Sequence, residues 1–209
     1  DALRRPERRR GMAVIISDFL GPINWMRPLR AISARHEVLG VDVVDSEVTA
    51  DLSNHEGREA MVEAVTDLSG GRLAGLVVAA GLQKGDPGVI VGVNHFGAVA
   101  TLEGLRPLLQ ANGEAAAVVV SSNSTTTMPG YPTEIADACL DGDEERARAL
   151  ATEPNGAYAA SKLALARWAR RAATADQWIG SGIRLNVIAP GFVDTPMTEG
   201  GWEFVQAIS

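Results

Sequence analysis

Five short apolar runs punctuate the chain: 12–17 (MAVIIS), 37–43 (EVLGVDV), 74–80 (AGLVVAA), 116–121 (AAVVVS) and 183–189 (IRLNVIA). Each is continuous rather than alternating, which is the pattern of strands covered on both faces of a parallel sheet. Between them apolar residues recur at helical spacing over 26–35, 54–68, 97–110 and 157–175, and the stretch 88–93 reads either as a further strand or as helix. Strands alternating with helices predict right-handed crossovers and an α/β fold: a doubly wound parallel sheet, Rossmann-like, in a three-layer α/β/α sandwich. No repeat or low-complexity linker divides the chain, so 12–209 reads as one domain behind a tail at 1–11.

One segment breaks the rhythm. Between the strand at 116–121 and the helix at 157–175 lie 35 residues (122–156), of which 134–152 (EIADACLDGDEERARALAT) are helical in pattern and acidic. A connection this long is commonly a functional lid, and a surface insertion is the other reading.

Composition narrows the partners. The 209 residues are 46% hydrophobic and 22% charged, the balance of a globular domain that closes its own core. A net charge of −7 argues against nucleic acid or an anionic membrane as a partner. The basic run RRPERRR at 4–10 reads as a solvated tail or helix flank. Cys139 is the sole cysteine, so no internal disulfide forms and a reducing compartment, the cytoplasm, is the expectation. No continuous apolar run reaches the roughly 18 residues of a membrane span, and the charged start is unlike a secretion signal. The chain begins with Asp1 rather than Met, as a processed product or fragment would.

Ligands of open α/β sheets bind beyond the carboxyl ends of the strands, so the polar residues there are the candidates for chemistry. Tyr158 and Lys162, in AYAASKLALARWARR, are spaced i, i+4 and share one helix face. An ammonium beside a phenol favours the phenolate, which makes a tyrosine usable in general acid–base catalysis. By itself the pair reads more readily as a packed tyrosine beside a solvated lysine. Ser121 and Ser122 end the preceding strand, where a hydroxyl can meet a substrate oxygen or simply cap a turn. Asn94, in VGVNHFG, opens the helix after the third crossover and reads as an N-cap or as a site residue.

Taken together, Ser122, Tyr158, Lys162 and Asn94, with LVVAAG at 76–81 and RLNVIAPGFVDTPM at 184–197, resemble the short-chain dehydrogenase/reductase family from about residue 37 to 198. The long acidic segment is similar to that of its bacterial 3α-hydroxysteroid dehydrogenase/carbonyl reductase branch. The resemblance implies an oxidoreductase that interconverts a small secondary alcohol, hydroxysteroid-like, and a ketone. Tyr158 would exchange the proton with the substrate oxygen, and Ser122 would orient and polarise the carbonyl. Lys162 would stabilise the Tyr158 phenolate and hold the nicotinamide ribose, with Asn94 supporting the lysine through water. For the cofactor it implies Ser17 in the first turn, Gly81 at a strand end, Asp51 towards the adenine, and Pro190, Gly191 and Thr195 at the nicotinamide end. Asp42 would accept from the adenosine ribose hydroxyls, and a carboxylate there repels a 2′-phosphate, so NAD is expected over NADP. A strand-end or turn role is the plainer reading of Asp42 and Asp51.

Two stretches depart from the family. Its first turn runs Thr/Ser-Gly-x-x-x-Gly-x-Gly; Ser17 matches, but the glycine positions fall on Asp18, Pro22 and Asn24. Asp18 sets a carboxylate against the approaching cofactor, Pro22 removes an N–H, and Asn24 adds a side chain where backbone must come close. Locally, 8–41 is similar to uncharacterised bacterial proteins with a von Willebrand factor A-like domain, which points to a chimera. In such domains an aspartate placed like Asp18 joins a metal site, but the companion ligands are lacking here and no metal site is expected. After TPMTEGGWEFVQAIS the chain stops where the family continues, so a last strand is expected to be missing and self-association through the bare edge is an expectation. The alternative to the enzyme is thus a non-catalytic or weakly cofactor-binding Rossmann-like domain.

Overall fold

In the computed structural model the described residues are 12–16, 37–42 (backbone only), 47–128 and 130–192. The expected helix at 26–35, the turn 17–24, the tail and Thr195 lie outside them. Six strands form one parallel sheet: β1 (Met12–Ile16), β2 (Glu37–Asp42), β3 (Val48–Thr49), β4 (Gly75–Val78), β5 (Ala115–Val120) and β6 (Ile183–Ile188). Their spatial order is β3-β2-β1-β4-β5-β6, the doubly wound order in which the chain reverses direction across the sheet between β1 and β4. The apolar runs become strands because side chains such as Val14, Ile16, Leu76, Val78, Ala117 and Val119 are all under helices and almost wholly buried. β3, only two residues long, is too short to announce itself by periodicity.

The helices are α1 (His55–Ser69), α2 (Pro87–Val91), α3 (Ala98–Asn112), α4 (Ser124–Thr127), α5 (Thr133–Leu140), α6 (Glu144–Leu150) and α7 (Pro154–Ala172). The ambiguous stretch 88–93 is helix. α2 and α3 are joined without a break by a π-helical turn, Gly92–Gly97. Asn94 therefore sits inside a continuous helix, Pro87–Asn112, and the N-cap reading of it does not hold. By length and composition that helix also passes for a membrane span, although no continuous apolar run does. More than half of its most apolar window is buried, because Leu102, Leu105 and Leu109 press on the sheet and α1. It is a core helix.

Two apolar clusters hold the molecule together. The larger joins the sheet to α1, α3 and the far end of α7, with Met61, Leu102, Leu105, Leu165 and Trp178 fully enclosed. The second belongs to the acidic segment. Ile135, Ala136, Ala138 and Cys139 of α5 and Ala147 of α6 pack on Ile90 and Val91 and on an alanine face of α7, Ala157, Ala160 and Ala164. Small residues at that spacing let the helices approach closely. The segment is a braced helical layer with its own core. It starts α6 with Asp143 as N-cap, whose Oδ1 accepts from the Arg146 N–H at 3.0 Å.

Candidate active site

The reversal point of the sheet is closed from above by the chain that leaves β4. The N–H groups of Ala79 and Ala80 both donate to the Ile16 carbonyl, at 2.8 and 3.0 Å, so this strand exit folds over the end of β1. The next residue is Gly81, and two polar side chains stand over it. A Cβ at Gly81 would lie 3.0 Å from Lys162 Nζ and 3.1 Å from Asn94 Oδ1. Glycine is what keeps this approach open.

Each of those side chains is held by backbone. Lys162 is buried on α7 and its Nζ donates to the Val120 carbonyl at 2.8 Å, the last residue of β5. Asn94 is fully enclosed: its Oδ1 accepts from the Leu82 N–H at 2.8 Å, and its Nδ2 donates to the Leu82 carbonyl at 2.9 Å and to Ser161 Oγ at 3.3 Å. Ser161 in turn donates to the Tyr158 carbonyl at 2.9 Å, so one hydroxyl joins the asparagine to the turn of α7 that bears Tyr158 and Lys162. Tyr158 itself is half-buried and packs on the second core cluster, one helical turn before Lys162.

The serines divide the work at the end of β5. Ser121 Oγ donates to the Lys162 carbonyl at 2.8 Å and so pins strand to helix. Ser122, two residues beyond the carbonyl that holds the lysine, accepts at its Oγ from the Ser124 N–H at 3.1 Å. This is the turn-capping arrangement, and it leaves the hydroxyl proton of Ser122 free to point elsewhere. The Asn123 N–H donates to the Pro190 carbonyl at 3.1 Å, and Gly191 lies against Asn123 Nδ2, so the loop after β6 meets the same corner. Lys162, Asn94, Gly81, Ser122, Pro190 and Gly191 are thus gathered at one end of the sheet, with Tyr158 on the helix above it. Asp42 ends β2 at that same end, paired with Thr49, and its side chain is not described. Ser17 and Thr195 lie outside the described residues.

Asp51 lies in the turn between β3 and α1. Its Oδ1 accepts from the Ser53 N–H at 2.8 Å and its Oδ2 from Asn54 Nδ2 at 2.7 Å. Hydrogen bonding from Ser53, through side chain and backbone, holds its carboxyl below the ordinary carboxylate range, so it is ionised and exposed.

Two further groups are buried behind the site. Burial pushes His95 down to about 4, despite the stabilising Cys139 carbonyl and Glu144, so the imidazole is neutral. Its Nε2 stands 3.0 Å from the Cys139 carbonyl, which can only accept, so the proton resides on Nε2. Burial likewise pushes the Cys139 thiol up to about 12, which makes it inert as a nucleophile. Sequence reasoning passed over Ser161 and His95. Each adjoins a chosen residue, Lys162 or Asn94, and lies on the same buried turn, a signal that was legible.

A parallel sheet reversing at β1/β4, with a lysine, an asparagine and a serine converging at that end, defines a Rossmann-like α/β protein with a polar site at the switch point. Comparison with known proteins gives the family. The chain is 39% identical over 176 residues to the 3-alpha-hydroxysteroid dehydrogenase/carbonyl reductase of Comamonas testosteroni, covering 81% of this chain and 68% of that protein. The fold superposes on the NADH-complexed 3-alpha-hydroxysteroid dehydrogenase of Pseudomonas sp. B-0831 with a TM-score of 0.81 and 38% identity, over 90% of this chain and 75% of that one. Residues 145–209 match the family described as Enoyl-(Acyl carrier protein) reductase. The chain belongs to the short-chain dehydrogenase/reductase family. Its beginning matches something else. Residues 1–68 match the family described as Protein of unknown function DUF58, and 45 residues are 89% identical to an uncharacterised protein of Mycobacterium tuberculosis, covering 22% of this chain and 14% of that protein.

Proposed function

We propose that this chain is an NAD-dependent oxidoreductase that interconverts a secondary alcohol, hydroxysteroid-like, and its ketone. One observation carries the reading: Lys162 Nζ and Asn94 Oδ1 converge on the side-chain-free face of Gly81, and Lys162 follows Tyr158 by one turn of α7. The space kept open there suits the nicotinamide ribose, with the Lys162 ammonium to bind its hydroxyls. Pro190 and Gly191 would border the nicotinamide, and Asp51 the adenine. Asp42 would accept from the adenosine ribose and disfavour a 2′-phosphate, which supports NAD over NADP. When bound, a reduced nicotinamide supplies the hydride that the carbonyl carbon receives.

The chain's own residues do the rest. Ser122 donates its hydroxyl proton as a hydrogen bond to the ketone oxygen and fixes its direction. Tyr158 gives a proton to that oxygen as negative charge develops on it, and Lys162 offsets the charge left on the phenolate. Asn94, immobilised by Leu82 and Ser161, keeps the π-helical turn against the lysine. The test is NADH-linked reduction of a steroid ketone by the chain and by Tyr158→Phe. Turnover lost in the variant alone supports the reading, and turnover equal in both overturns it.

The sequence of the first turn favours a second reading, a domain that keeps the fold but binds the dinucleotide weakly. Asp18, Pro22 and Asn24 stand where the family places glycines, and NADH binding without Tyr158-dependent turnover would support it.

A further inference from the structure

The acidic segment reaches the turn after β3 through Glu144 and Arg148. Glu144, in the first turn of α6, accepts from Arg58 at both oxygens: Nη1 to Oε2 at 2.7 Å and Nη2 to Oε1 at 2.8 Å. Oε1 also accepts from Arg148, Nε at 2.9 Å and Nη2 at 2.6 Å. Burial alone would raise the Glu144 carboxyl, but the hydrogen bonds from Arg58 and Arg148 prevail and hold it below the usual range.

The two guanidinium groups pass the hold onward. Arg58, nearly buried on α1, donates Nε to the Leu52 carbonyl at 2.8 Å, and Nη2 to the carbonyls of Gly92 at 3.1 Å and Ser53 at 3.3 Å. Arg148 Nη2 donates to the Ser53 carbonyl as well. Leu52 and Ser53 directly follow Asp51, and Gly92 opens the π-helical turn two residues before Asn94. A side chain at Gly92 would run into the Arg148 guanidinium, so that glycine is what admits the arginine. The carboxylate is bidentate to one arginine, and the cluster is only partly open to water, which is the geometry in which such pairs fix positions.

We propose that Glu144 is a positioning residue of the cofactor site, setting the Asp51 turn against the π-helical turn by way of Arg58 and Arg148. The inference rests on the dehydrogenase reading above. Its effect falls on the adenine side. Asn94 is held independently by Leu82 and Ser161, whereas the carbonyls of Leu52 and Ser53 are gripped by these arginines.

The test is steady-state kinetics of the full chain, Glu144→Gln and Gly92→Ala, with 5′-AMP as a competitor that probes the adenine end alone. In Glu144→Gln the KM for NADH and the inhibition constant of AMP both rise about tenfold, while kcat stays within twofold. Gly92→Ala displaces the flexible end of Arg148 and moves both constants in the same direction by less. It carries the test if Glu144→Gln does not fold. An unchanged KM, or a fall in kcat without a rise in KM, overturns the inference while the unsubstituted chain still turns over. Absence of NADH binding in the unsubstituted chain overturns it together with the dehydrogenase reading.

Discussion

Two stretches of the chain answer to different requirements. The first, around Gly81, offers the side chains of Asn94, Ser122 and Lys162, and each is anchored to a backbone carbonyl or N–H of a strand end or neighbouring turn. The second, residues 17–24 after β1, belongs in this family to a turn that works through backbone alone, where glycines let N–H groups meet a pyrophosphate. Here it reads Ser-Asp-Phe-Leu-Gly-Pro-Ile-Asn. β1 and β2 around it still pair in register with each other, Met12 with Glu37 through Ile16 with Val41, and β1 pairs with β4. Strand pairing asks only for an apolar run of the right length, and a phosphate cradle asks for particular absences of side chain. A segment can therefore satisfy the fold and fail the ligand.

The largest expected effect lies wholly in the first region. Tyr158→Phe removes the proton donor and should lower kcat for ketone reduction by roughly 10²–10⁴-fold, with NADH affinity unchanged. A parallel loss of NADH affinity would show that the regions are not separable.

Acid should strike the first region through His95. Its folded-state value of about 4 lies below the ordinary 6.5, so the unfolded chain binds the extra proton first as pH falls. Stability is then undiminished above about pH 6.5 and declines towards about pH 4, by about 3 kcal/mol at most for this group. Urea unfolding across that window measures it, and His95→Gln should flatten the decline. Glu144 and Asp51, whose values are lowered, add to the loss as pH falls through the ordinary carboxylate range and below it.

A smaller effect marks the border between the regions. Gly81→Ala sets a methyl 3.0 Å from Lys162 Nζ and 3.1 Å from Asn94 Oδ1, tighter than ordinary contact. The methyl occupies space the cofactor needs, so the KM for NADH should rise about tenfold, and an overpacking cost of ~1–2 kcal/mol should lower the melting temperature by a few degrees. An unchanged KM would mean that the cofactor does not pass this point.

Much of the first region was legible in the sequence. Tyr158 and Lys162 share a helix face by their spacing and Ser122 stands at the end of an apolar run, whereas Gly81 is singled out only through the family resemblance. The parallel sheet is legible because strands covered on both faces leave unbroken apolar runs. Other features were not. β4 ends at Val78, earlier than its apolar run, because the next two N–H groups turn onto β1. The acidic segment left lid and insertion both open, since its alanine and isoleucine contacts to α2 and α7 are tertiary. The Arg58–Glu144 pair spans 86 positions and carries no local pattern. Asn94 reads as a cap from sequence because no periodicity distinguishes a π-helical turn within a longer helix.

The separation of the two regions is tested most directly by fluorescence titration of NADH into the chain and into the double variant Asp18→Gly, Asn24→Gly. The account predicts weak saturable binding by the chain and binding about tenfold tighter in the variant, the gain expected from restored backbone approach of about 1.4 kcal/mol. Absence of saturable binding in both, at millimolar NADH, would contradict it.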